Sequence, residues 1–136
     1  MSEPEFTFTM PAGWEELSPD SGRAIRKVGN TNSVLRMSFD RNPMPRPLSN
    51  PPRKAELAAN LVKMQGGVVS NTSEGQFELG SYGRAIFTGK RLGHGEAWVL
   101  TDGTHLFLAT YTSEKAPDRQ ELQDVANIIT SVRWTR

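Results

Sequence analysis

HGEAWVLTDGTHLFLATY, residues 94–111, is the stretch whose reading decides the fold. Asp102-Gly103 is a dipeptide that readily takes the positive φ angles of a tight hairpin turn, and the residues on either side are β-branched, aromatic or apolar over a strand length. A two-residue turn there sets Thr101 opposite Thr104, Leu100 opposite His105, Val99 opposite Leu106 and Trp98 opposite Phe107. Glu96 then faces Ala109. Because side chains alternate between faces, Trp98, Leu100, His105, Phe107, Ala109 and Tyr111 share one side, and Ala97, Val99, Leu106, Leu108 and Thr110 share the other. Both sides are largely apolar, so the hairpin is expected in the middle of a sheet that is covered on both faces.

The same register limits the chemistry. The two histidines, His94 and His105, fall at opposite ends of the hairpin, roughly 20 Å apart at ~3.4 Å per residue. They cannot share one zinc ion, whose ligands lie about 2 Å from it. No cysteine is present to complete a metal site or form a disulfide. His105 near Asp102 or a serine is the one hydrolase-like reading, and the alternative is that Asp102 caps backbone N–H groups of the turn. Glu15 and Glu16, on adjacent extended positions, point to opposite faces and make a poor acid–base pair.

With 136 residues the chain is read as a single domain, residues 1–136, long enough to bury a core without staples. The net charge of +1 argues against nucleic acid as a partner. No apolar run nears the ~20 residues of a membrane helix, and the first residues lack the pattern of a signal peptide. As it stands the chain reads as cytoplasmic, or as periplasmic or lipoprotein-anchored where a leader has been removed. Residues 23–54 carry eight Lys and Arg against Asp40 alone. This basic middle either faces an acidic partner or is spread over several faces, with Arg26 and Arg36 as outward strand positions.

Further strands are expected at 6–10 (FTFTM), about 22–28 and 33–40. In the last of these, Val34, Arg36, Ser38 and Asp40 alternate with Leu35, Met37 and Phe39, the pattern of one wet face. Residues 41–52, RNPMPRPLSNPP, hold five of the nine prolines and read as a stiff loop. A helix follows from about Pro51 to Gln65, with Leu57, Leu61 and Met64 as its apolar stripe and Asn50 as N-cap. Strands are expected at 68–72, 76–79 and 82–92, with turns at 73–75, 80–81 and 93–95. A second helix covers about 117–131, capped by Asp118 with Glu121 three residues on. Trp134 closes the chain as an anchor. The layout is α+β: an α/β/α sandwich with a mostly antiparallel sheet of six or seven strands and two main helices.

Three stretches, FTFTMPAGW at 6–14, AWVLTDGTHLFLA at 97–109 and IITSVRW at 128–134, together resemble the PsbP-like superfamily, which includes PsbP, the Mog-type Ran-binding factor and DcrB-like bacterial proteins. The resemblance implies this sandwich fold and a non-enzymatic role in stabilising a complex or binding a partner. It carries over no catalytic residues.

Function is therefore expected to be recognition of a protein partner, without catalysis and without a cofactor or metal. Arg41, Met44 and Arg46 on the proline loop are the candidate contacts, since a stiff exposed segment loses little entropy on docking. The alternatives are a small-molecule carrier whose apolar pocket is lined by Trp14, Trp98, His105, Phe107 and Tyr111, and a bacterial immunity or secretion-adaptor protein.

Overall fold

The apolar side chains on both sides of residues 92–113 need cover on both sides, and the chain meets this with one helix on each face. The computed structural model describes residues 6–17, 23–40, 54–90 and 92–134. In chain order the elements are β1 (Trp14–Leu17), β2 (Arg23–Lys27), β3 (Ser33–Asp40), α1 (Lys54–Met64), β4 (Val68–Phe77), β5 (Gly80–Gly89), β6 (Leu92–Thr101), β7 (Leu106–Ser113) and α2 (Arg119–Thr130). The seven strands form one sheet in the order β1-β2-β3-β7-β6-β5-β4, every neighbouring pair antiparallel. The expected sandwich is the fold found, and the 94–111 hairpin lies in the middle of the sheet.

One face packs Ile25, Leu35, Met37, Trp98, Leu100, Phe107 and Tyr111 against Val125, Ile128 and Ile129 of α2. The other packs Ala85, Phe87, Ala97 and Val99 against Ala58 and Val62 of α1. Met64 does not belong to that stripe: it is 84% exposed. The helix ends there, Gly66 turns left-handed at φ +82°, and the Gly67 N–H closes back on the Val62 carbonyl.

The hairpin register differs from the expected one by two residues. Thr101 pairs with Leu106, Trp98 with Ala109 and Glu96 with Tyr111. The connection is a four-residue loop, 102–105, because side chains satisfy its backbone. Asp102 Oδ1 accepts from the N–H groups of Thr104 and His105, and Thr101 Oγ1 accepts from the N–H of Gly103. A slip of two keeps every side chain on its expected face, whereas a slip of one would have inverted them all.

Other expected boundaries move. Residues 6–10 form no strand; Thr7 makes an isolated antiparallel bridge with Arg133, each N–H donating at 2.9 Å. Trp14 begins β1 instead. Ser73-Glu74-Gly75 is no turn but lies within β4, paired with Arg84, Gly83 and Tyr82. The chain reverses at Glu78-Leu79. Gly93-His94-Gly95 lies inside β6, since Gly89 already pairs with Leu92. A side chain at Gly95 would meet the Phe87 ring at about 2.5 Å, so glycine here marks close packing rather than a bend. The proline-rich segment 41–52, with the expected N-cap Asn50 and helix start at Pro51, lies outside the described residues.

Candidate functional site

Between α2 and the sheet the helix buries acidic side chains where an apolar core would be expected, and neighbouring donors engage them. Glu121 is 2% exposed. Its carboxylate accepts from Asn30 Nδ2, Ser33 Oγ and the Tyr111 hydroxyl. Asp118 caps α2 by accepting from the Glu121 N–H at 2.7 Å, but the Glu121 carboxylate does not return the bond as a capping box would. It is spent instead on the sheet. Burial and the adjacent Glu121 carboxylate push the Tyr111 phenol well above its ordinary value. Asp124 accepts from the Trp14 indole N–H at 3.1 Å.

On the β5–β6 side, Glu96 is fully buried. Arg84 contacts its Oε1 at 2.7–2.8 Å, and His94 Nε2 stands 2.8 Å from Oε2. The Arg84 guanidinium lies over the Trp98 ring, 5.0 Å from its centroid. Sequence reasoning passed over Glu96. Its Arg84 partner lies on β5, and that contact follows only from the β5–β6 register that sets Arg84 opposite Trp98 and Ile86 opposite Glu96.

At the hairpin tip, His105 Nδ1 lies 3.2 Å from Asp102 Oδ2 and 3.3 Å from Thr104 Oγ1. In a hydrolytic triad the acid and the nucleophile occupy different ring nitrogens. Here both oxygens crowd the same one, and the Thr104 hydroxyl also donates to Asp102. The imidazole stacks on Phe39 at 5.9 Å. Asp102 acts as the cap of the loop.

Trp14, Trp98, Phe107 and Tyr111 stand together in the cluster beneath α2, each at 6% exposure or less. His105 sits at its rim against Phe39. Among the described residues no group of three or more His, Cys, Asp or Glu could hold a metal ion. Arg41, Met44 and Arg46 lie outside the described residues. Glu15 and Glu16 do point to opposite faces, where they pair with Arg26 and Arg23 at 3.0 and 2.6 Å.

The α1 side of the sheet is different. Among the sheet strands, α1 packs closely against β4, β5 and β6. Over β3 and β7 the surface is formed by Val34, Arg36 and Ser38 beside Thr112, Thr110 and Leu108, which are their partners in register. Two open hollows meet there. One, of about 390 Å³, is lined by Leu17, Arg26, Val34, Arg36, Thr112 and Glu114 among others. The second, of about 270 Å³, lies toward α1 between Arg36, Ser38, Leu61, Gln65, Leu108 and Thr110. Arg36 is the wall they share. It is exposed, and among the described residues it forms no ion pair, whereas Arg26 is held by Glu15. The alternation of 33–40 already marked this as the wet face; that a helix leaves it open was not readable from sequence.

No protein-family profile matches the chain, and no curated protein matches it in sequence. Solved structures do match in shape. The chain is similar to cyanobacterial PsbP from Synechocystis sp. PCC 6803, with a TM-score of 0.63 and 19% identity over 96% of this chain and 87% of that one. It is also similar to a protein from Bacteroides thetaiotaomicron, with a TM-score of 0.50 and 13% identity over 97% of this chain and 46% of that one. At such identities the likeness speaks for the fold, and the fold is PsbP-like.

Proposed function

We propose that this chain is an accessory domain that acts by binding rather than by catalysis, and that it recognises a protein partner on the part of the α1 side of its sheet that the described residues leave uncovered. The observation that carries this reading is Arg36. It is a mid-strand cation without an ion-pair partner among the described residues, set between two hollows whose walls mix polar and apolar side chains. A face that offers an exposed cation with apolar side chains on either side is a surface on which a chain of complementary charge can dock. The polar groups beneath α2 fit a structural role, since Glu96, Glu121, Asp124 and Asp102 are each engaged by neighbouring donors. Arg41, Met44 and Arg46 are proposed as further contacts of the same partner; Arg41 follows directly on the last residue of β3. The PsbP-like fold supports the reading as analogy only.

Site-specific photocrosslinking in the source cell tests it. A benzophenone amino acid at Thr110, on the open face, gives a discrete protein adduct, and the same group at Val28, exposed in the β2–β3 turn, does not. Equal or absent adducts from the two positions overturn the proposal.

A further inference from the structure

The open face has a chemical pattern that specifies what it takes. Along β3 the surface presents a hollow of mixed lining in which Leu17, Val34 and Leu92 are the apolar members, then the Arg36 guanidinium, then a second hollow bounded by Leu61 and Leu108 beside Ser38. From Val34 to Ser38 is four residue steps, roughly 14 Å at ~3.4 Å each. In an extended peptide, side chains i, i+2 and i+4 point the same way over the same distance. We infer that the face binds an extended acidic segment of a partner protein, in which an Asp or Glu at Arg36 is flanked two residues away on each side by an apolar side chain. This rests on the reading of the open face as a docking surface and adds the chemistry of its occupant.

Size and charge both favour this occupant. The hollow of about 270 Å³ falls below the ~300 Å³ lower end of small-ligand pockets and suits one side chain, while that of about 390 Å³ is at the small end of the range. Both are open along the surface rather than enclosed. Glu15 neutralises Arg26, and Glu114 lies at the end of the larger hollow away from α1. Of the two cations that line the hollows among the described residues, Arg36 is thus the one without an ion-pair partner, and a planar guanidinium matches a carboxylate with two parallel hydrogen bonds. Thr110, Thr112 and Ser38 place hydroxyls around it for the peptide backbone. The segment would lie across the sheet face and would not extend the sheet at an edge.

A random nine-residue peptide library displayed on phage, panned on the wild-type protein and counter-selected on Ser38→Trp, tests both layers of the argument. Ser38 is exposed, so the tryptophan fills the smaller hollow from outside; circular dichroism checks that each variant folds. The expected result is enrichment of peptides with an acidic residue flanked at i−2 and i+2 by apolar ones. Binding of the leading peptide falls about tenfold or more in Arg36→Glu and when its acid is changed to Gln, and a Lys peptide binds Arg36→Glu better than wild type. Face-dependent peptides that lack an acid, or that bind Arg36→Glu equally well, overturn the acidic occupant while leaving the docking face in place. No enrichment that depends on the face overturns both.

Discussion

The indole N–H of Trp134 donates to Asp102 Oδ2 at 3.0 Å, so the segment that follows α2 is tied to the tip of the central hairpin. The same carboxylate caps the backbone of Thr104 and His105. Trp134 itself packs between Phe39, Phe77 and Phe107. One acid therefore sets the loop length, the hairpin register and the seat of the C-terminal segment.

Asp102→Asn keeps an oxygen for the loop N–H groups but turns an amide N–H₂ toward the Trp134 indole N–H, two donors facing each other. The substitution is expected to cost roughly 2 kcal/mol, the scale of a hydrogen bond to a charged group. In a Trp134→Phe background the cost is expected to shrink, because the opposing donor is gone. Urea unfolding of the two single variants and the double variant measures this coupling.

Acid stability follows from the same group. Burial pushes the Asp102 carboxyl up, but the backbone N–H groups of Thr104 and His105, the Trp134 indole and the Thr104 hydroxyl together hold it well below the usual carboxylate range. A lowered carboxyl contributes stability that is complete above the unfolded value near 4 and declines as pH falls below it. Wild type is expected to lose stability on acidification from about pH 4 more steeply than Asp102→Asn. Parallel slopes in thermal melts between pH 4 and pH 2.5 would contradict this.

Tyr111 produces the opposite sign. Its phenol is raised, so its contribution is present below about pH 10 and lost as pH climbs past that value. Tyr111→Phe is expected to be less stable at neutral pH and to show a shallower loss in alkali. Of the two tyrosines, Tyr111 is expected to ionise only as the protein unfolds, which absorbance at 295 nm would follow.

Glu96→Leu leaves Arg84 and His94 without their shared acceptor. Breaking a buried ion pair costs about 3–5 kcal/mol, and the lower end is expected because the Arg84 and His94 side chains keep 26% and 20% exposure. Glu96→Leu with Arg84→Leu is expected to recover part of that loss. A double variant no more stable than Glu96→Leu in urea unfolding would show that the charge pair is not what the site depends on.

Gly80→Ala is expected to destabilise strongly, because the added carbon would stand 2.2 Å from the Thr101 carbonyl oxygen, a backbone atom that cannot rotate away. Gly89→Ala meets nothing within 4 Å and has no positive φ, so it is expected to change stability by less than about 0.5 kcal/mol. Thermal melts of the pair check this.

The strands that carry both apolar faces were legible because alternation and β-propensity agree across 94–111 and 33–40. The face assignment survived an error of two in register, since the pleat repeats every two residues. Glycine misled the reading at 73–75 and 93–95. There it allows close approach of Tyr82 and Phe87 rather than a turn, and only the neighbouring strand reveals that. Phe6–Met10 has a strand's pattern but pairs only once, with Arg133, a partner 126 positions along the chain. The candidate site was half legible. The spacing of Val34, Arg36 and Ser38 marks a wet face, but the reach of α1, which stops short of β3, depends on packing that no local pattern encodes.

The central claim is that the surface over β3 and β7 is where a partner docks, with Arg36 at its centre. The most direct measurement is a titration of ¹⁵N-labelled protein with the selected acidic peptide, followed by amide chemical shifts. The account predicts perturbations concentrated at Val34, Arg36, Ser38, Leu61, Leu108 and Thr110, and abolished by Arg36→Glu. Perturbations centred on the β4 edge or on the α2 side of the sheet, or unchanged by Arg36→Glu, would contradict it.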